Sequence, residues 1–112
     1  MDTTIWSALA ESNRLRIVEL LRGGPLTVGE IAGRLQLRQP QASKHLRILL
    51  EAGIVELKPE ANRRIYKLRP EPFEDMNAWL KSYRGIWDDR MRRMAAYLQD
   101  WQRTNQPTKE DE

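Results

Sequence analysis

Residues 38–49 read RQPQASKHLRIL, a run whose side chains suit the reading of nucleic-acid base edges. The amides of Gln39 and Gln41 each set a donor beside an acceptor, which matches the edge that adenine presents in a major groove. Lys44 can donate to guanine O6 and N7, and Ser43 can serve either base. On a helical wheel of about 100° per residue, Ala42, Leu46, Leu49 and Leu50 fall together, while Pro40, Gln41, Lys44 and Arg47 fall opposite, with Ser43 and His45 on the flanks. A solvated helix face would explain the polarity. It would not explain why no carboxylate appears in this run before Glu51.

Asn62, Arg63 and Arg64 form a second cluster, suited to gripping phosphates or entering a narrow minor groove. Both clusters lie in a basic stretch: residues 34–69 carry nine Lys or Arg against three Glu, although the whole chain is only +3. A basic middle between mildly acidic ends is the pattern of a chain whose middle meets a polyanion.

Other chemistries find little support. There is no cysteine, so disulfides, thiolate metal sites and thiol redox sensing are excluded. His45 is the single histidine, which leaves no multi-imidazole site within one chain; its flank position fits a DNA contact or a partly packed ring. Asp88, Asp89 and Asp100 have no His or Cys nearby and read as a solvated helix side. No nucleophile with its base, phosphate-cradling glycine loop or paired-carboxylate site is present, so the chain reads as a non-enzyme without metal or cofactor. No apolar stretch reaches membrane-spanning length and the N-terminus lacks a signal-peptide pattern, so a cytoplasmic protein without membrane association is expected.

The elements that must position these residues follow from periodicity and punctuation. With 112 residues, 40% hydrophobic and 31% charged, the chain is expected to form one folded domain over residues 1–104 and a frayed tail over 105–112. Asp2 is expected to cap a first helix through Ile5, Trp6 and Leu9. Ser12 is expected to cap a second, with Leu15, Val18 and Leu21 inward, widened by Ile17 and Leu20, until Gly23, Gly24 and Pro25 stop it. Thr27 and Glu30 have the form of a capping box and open a short third helix with Val28, Ile31, Ala32 and Leu35 inward. After a few residues Pro40 suits the first position of a fourth helix, which Gly53 ends; two short helices across a tight turn outline a helix-turn-helix.

Residues 54–58 and 64–69 alternate apolar and polar positions and predict a hairpin, with Asn62 as the tip residue most tolerant of positive φ. Beyond Pro70 and Pro72, a long fifth helix is expected with Phe73, Met76, Leu80, Tyr83, Trp87, Met94, Tyr97 and Trp101 at steps of three and four, interrupted by Arg90. Thirty residues of helix would run about 45 Å, too far for so small a domain to cover, so part of that stripe should meet another chain. The predicted fold is therefore mostly α with a small β-hairpin, built from five helices.

Residues 25–68, PLTVGEIAGRLQLRQPQASKHLRILLEAGIVELKPEANRRIYKL, resemble the winged helix-turn-helix core of the ArsR family of bacterial transcriptional repressors. Gln39, Pro40, Ser43, Lys44, His45, Leu46, Leu49, Ala52, Gly53 and Tyr66 carry the likeness, and ALAESNRLRIVELL resembles the family's opening; with the long C-terminal helix the likeness covers residues 3–103. The resemblance implies a homodimer built from the first and last helices, a palindromic double-stranded DNA operator and repression relieved by a signal. The implied DNA contacts are Gln39, Gln41, Ser43, Lys44, His45 and Arg47 on the fourth helix and Asn62, Arg63 and Arg64 on the wing. The implied dimer interface comprises Ile5, Trp6 and Leu9 with Trp79, Tyr83, Trp87, Met94 and Leu98. Metal-sensing members carry cysteines in the third helix or His and carboxylates in the last; here the third reads TVGEIAGRL and the last has no His, as in a metal-independent branch. A small-molecule inducer is compatible with the aromatic stripe. The alternative is a winged-helix protein-interaction module without sequence-specific DNA binding.

Overall fold

Ile17, Ile31, Leu46, Leu49, Ile54 and Val55 are the largest side chains fully removed from solvent, and they come from successive elements of the chain. The computed structural model describes residues 3–105, so the expected Asp2 cap and residues 106–112 of the expected tail lie outside the described residues. The chain divides into two units, residues 1–76 and 77–112.

In the first unit α1 (Thr3–Leu9) is followed by α2 (Ser12–Leu21), β1 (Leu26–Thr27), α3 (Val28–Leu35), α4 (Gln39–Glu51), β2 (Val55–Glu60) and β3 (Arg63–Leu68). α5 (Pro70–Asn105) begins here, with Phe73 and Met76 packed against the core, and its residues from Asn77 onward make up the second unit. Helical structure thus persists to Asn105, one residue past the expected domain end.

Several expectations are corrected. α2 is capped by Glu11, whose Oε2 accepts the Arg14 backbone N–H at 2.9 Å; the longer side chain reaches the third amide and Ser12 becomes the first helical residue. The buried edge of α2 is Ile17, Val18 and Leu21, whereas Leu15 is 42% exposed. Pro40 is the second helical residue rather than the first, with Arg38 as an N-cap that makes no side-chain bond. Either place suits proline, because the first four helical amides have no intrahelical partner.

The sheet is three-stranded and antiparallel in the order β1-β3-β2. The strands of the hairpin pair from Val55↔Leu68 to Glu60↔Arg63, which leaves Ala61 and Asn62 as the turn. Ala61, not Asn62, takes the left-handed conformation, with φ of 54°. The short strand β1 was not expected; it pairs Leu26 with Tyr66 and Thr27 with Ile65.

Candidate nucleic-acid interface

Three local devices fix α4. The capping box forms as expected: Thr27 Oγ1 accepts the Glu30 N–H at 3.2 Å, and Glu30 Oε1 accepts the Thr27 N–H at 3.1 Å. At the other end of α3, Gln36 adopts a left-handed φ of 56° and the Leu37 N–H reaches back to the Ala32 carbonyl at 2.9 Å, turning the chain into α4. At the end of α4, Gly53 has φ of 76°, the Gly53 N–H donates to the Leu50 carbonyl and the Ile54 N–H to the Leu49 carbonyl, each at 3.0 Å. This is a Schellman motif, closed by the buried contact pair that such motifs favour, Leu49 and Ile54.

With Ala42, Leu46 and Leu49 buried, the opposite side of α4 must face solvent, and Gln39, Gln41, Ser43, Lys44 and Arg47 are exposed there. Arg47 pairs with Glu51 one turn on, Nε to Oε1 at 3.3 Å, an exposed pair that water screens and that leaves the guanidinium accessible. His45 is the exception among the expected contacts. Its side chain is only 13% exposed and its buried Nδ1, which makes no hydrogen bond, stands 3.7 Å from Glu11 Oε2. The ring belongs to the packing between α2 and α4, not to the outward face. Glu11 is itself held below the ordinary carboxylate range, chiefly by the Arg14 backbone N–H, with the nearby His45 acting in the same direction.

The wing brings the second cluster to the first. Asn62, Arg63 and Arg64 share an open cleft of about 770 Å³ with Gln39 and Ser43 of α4. Gln41, Lys44, His45 and Arg47 do not line it. Its remaining wall is Tyr66 and the first turn of α3, Thr27 to Glu30, which the sequence pattern marks only as a helix cap. The β1–β3 pairing is what sets that turn beside the wing, and a two-residue strand carries no periodic signal that could have announced it. Glu30 is held below the ordinary carboxylate range by the Thr27 backbone N–H first and the Thr27 hydroxyl second, with Arg34 and Arg63 adding through-space attraction.

The expected interface between protomers divides. Ile5 is buried in the core of its own chain and Leu9 packs against that core, so Ile5 has little surface to offer a partner. Trp6 is partly exposed. In the second unit Trp79, Tyr83, Trp87, Met94 and Leu98 are all exposed, together with Leu80, Ile86, Met91, Tyr97 and Trp101. Trp79 and Tyr83 stack at a tilt with ring centroids 4.7 Å apart. Leu80, Trp87, Met94 and Trp101 recur every seventh residue, the spacing at which two helices wind around each other. Among the described residues no helix is long and apolar enough to cross a membrane, and no three His, Cys, Asp or Glu side chains cluster as metal ligands would.

Comparison with known proteins places these features in context. Residues 9–58 match a helix-turn-helix domain family. The chain is 46% identical over 65 residues to an HTH-type transcriptional regulator of Mycobacterium tuberculosis, a match covering 58% of this chain and 61% of that protein. The chain therefore spans less than two thirds of that relative's length. It is 30% identical to an arsenical resistance operon repressor of Staphylococcus aureus, over 66% of this chain and 71% of the relative. Among solved structures, the homodimeric winged helix-turn-helix DNA-binding domain of a possible ArsR-family regulator from Mycobacterium bovis superposes with a TM-score of 0.62 at 29% identity, covering 74% of this chain and 77% of that one.

Proposed function

The chain belongs to the ArsR family of winged helix-turn-helix transcriptional regulators, and from that membership we propose that it is a homodimeric repressor that binds a palindromic DNA operator. Gln39, Gln41, Ser43 and Lys44 meet base edges in the major groove, while Arg47, Asn62, Arg63 and Arg64 hold the backbone or an adjacent minor groove. The exposed stripe of α5 joins the two protomers. Regulation is by occupancy of DNA in the cytoplasm and requires neither catalysis nor a bound metal.

One observation carries the reading. The amide and hydroxyl groups at the start of α4 and the cations of the wing open onto the same cleft, so one duplex can touch both. Selection of duplexes from a random pool should enrich a two-fold symmetric site whose half-sites lie about 10 bp apart, centre to centre. A reporter driven through that site should fall when the protein is supplied, and chelator or added zinc should leave affinity unchanged. Failure to enrich any sequence would sink the reading and favour an acidic protein partner for the same face. A reporter that rises would make the protein an activator.

A further inference from the structure

Glu30 is the one carboxylate among the described residues lining the cleft between α3, α4 and the wing. It is exposed but not free to swing away, because Oε1 accepts the Thr27 backbone N–H at 3.1 Å. Like any exposed carboxylate it is ionised at neutral pH, and its hydrogen bonds with Thr27 and the attraction of Arg34 and Arg63 hold it below the ordinary range. A fixed negative charge therefore stands in a groove whose other walls, Arg63, Arg64, Gln39 and Ser43, would draw in phosphate.

The fold does not require that charge. Glutamine at the same place can return the same bond to the N-cap, since capping boxes use Glu or Gln alike. What only the carboxylate supplies is repulsion of another anion. That repulsion bears differently on two kinds of complex. When α4 makes base contacts, its seat in the major groove fixes where the backbone runs. A duplex held by phosphates alone is free to settle where the potential favours it; Arg63 and Arg64 draw it toward this cleft and Glu30 opposes them.

We propose that Glu30 is a specificity-determining residue: its carboxylate repels backbone phosphate from the cleft between α3 and the wing and so weakens binding to DNA that offers α4 no base contacts. Discrimination of this kind comes from a repulsive element acting against the wrong partner rather than a better contact to the right one. The inference rests on the DNA-binding reading above.

The test compares wild type with Glu30→Gln on two probes, the duplex selected by the wild-type protein and a scrambled duplex of equal composition, by fluorescence anisotropy across a salt series. The variant should bind scrambled DNA about threefold to tenfold more tightly at low salt and the selected duplex within about twofold of wild type, with the difference shrinking as salt rises. Glu30→Asp keeps the charge while shortening the reach to the cap, and should retain discrimination even if its melting temperature drops. Equal tightening on both probes, no change on either, or weaker binding of the selected duplex would overturn the proposal, the last by making Glu30 a direct acceptor for a base amine. Absence of any preference in the wild type would instead overturn the DNA-binding reading itself.

Discussion

α4 leaves one side uncovered while α5 is exposed all round from Asn77 onward, and the open side of α4 and the apolar stripe of α5 are chemically opposite. The open side of α4 is amide, hydroxyl and cation; the stripe of α5 is Trp, Tyr, Leu, Ile and Met. Polar groups of the first kind lose little in water and gain only when a partner presents matching donors and acceptors. The second kind gains from burial alone, at roughly 25 cal/mol per Å² of apolar surface. On the proposed function, one helix discriminates among partners and the other keeps a partner. If that contrast is right, injuries to the two faces should differ in kind as well as in size.

The largest effect belongs to α5. Replacing Trp87, 57% exposed in the protomer, by Glu puts a charge in the middle of the heptad stripe. Sedimentation equilibrium should show monomers, and operator affinity should fall by about 100-fold or more, because the second half-site loses its tethered reader. The melting transition of the first unit should stay near that of wild type. A variant that remains dimeric with full affinity would remove α5 from the interface and dissolve the contrast.

A smaller and more selective injury is expected on α4. Lys44→Ala should cost about 1 to 3 kcal/mol on the selected operator and much less on scrambled DNA, as expected for a base contact. Arg63→Gln on the wing should weaken both, the scrambled duplex no more than the operator, and reduce the slope of log affinity against log salt by about one on the operator, as expected for a phosphate contact. Interchanged outcomes would exchange the two roles, with the wing reading sequence and α4 holding the backbone.

The same two regions explain what could be read in advance. The Thr27–Glu30 capping box, the stop at Gly53 and the apolar stripe of α5 are written within a few residues or one period of a single helix, and the box, the stop and the helix that carries the stripe are found where expected. What escaped depends on neighbours distant in sequence. His45 lies at the boundary of the α4 wheel, and only the approach of Glu11 on the cap of α2 decides that the ring turns inward. Ile5 reads as interface because α1 is short and amphipathic, yet the core consumes it. Ala61 takes the left-handed turn position because the Glu60↔Arg63 pairing leaves two residues for the turn, whatever their own preferences. The acidic wall of the cleft was hidden for a like reason: Glu30 meets the wing through a two-residue strand.

The smallest predicted effect tests whether the inward side of α4 is as separate from the DNA face as its packing implies. Glu11→Gln keeps an acceptor for the Arg14 N–H and removes only the charge beside His45. Glu11 titrates below its ordinary value of 4.5 in the folded chain, so its charge stabilises the fold at pH values above the unfolded carboxylate's range, and that contribution is lost as pH falls through the depressed folded value. The variant should melt slightly below wild type at neutral pH, and the gap should close in acid. Operator affinity at neutral pH should stay within about threefold of wild type, since no base or phosphate contact is touched. A gap that widens in acid would reverse the sign of the Glu11 contribution. A large loss of operator affinity with an unchanged melting temperature would instead bring the Glu11–His45 pair into the DNA interface and erase the boundary between the two sides of α4.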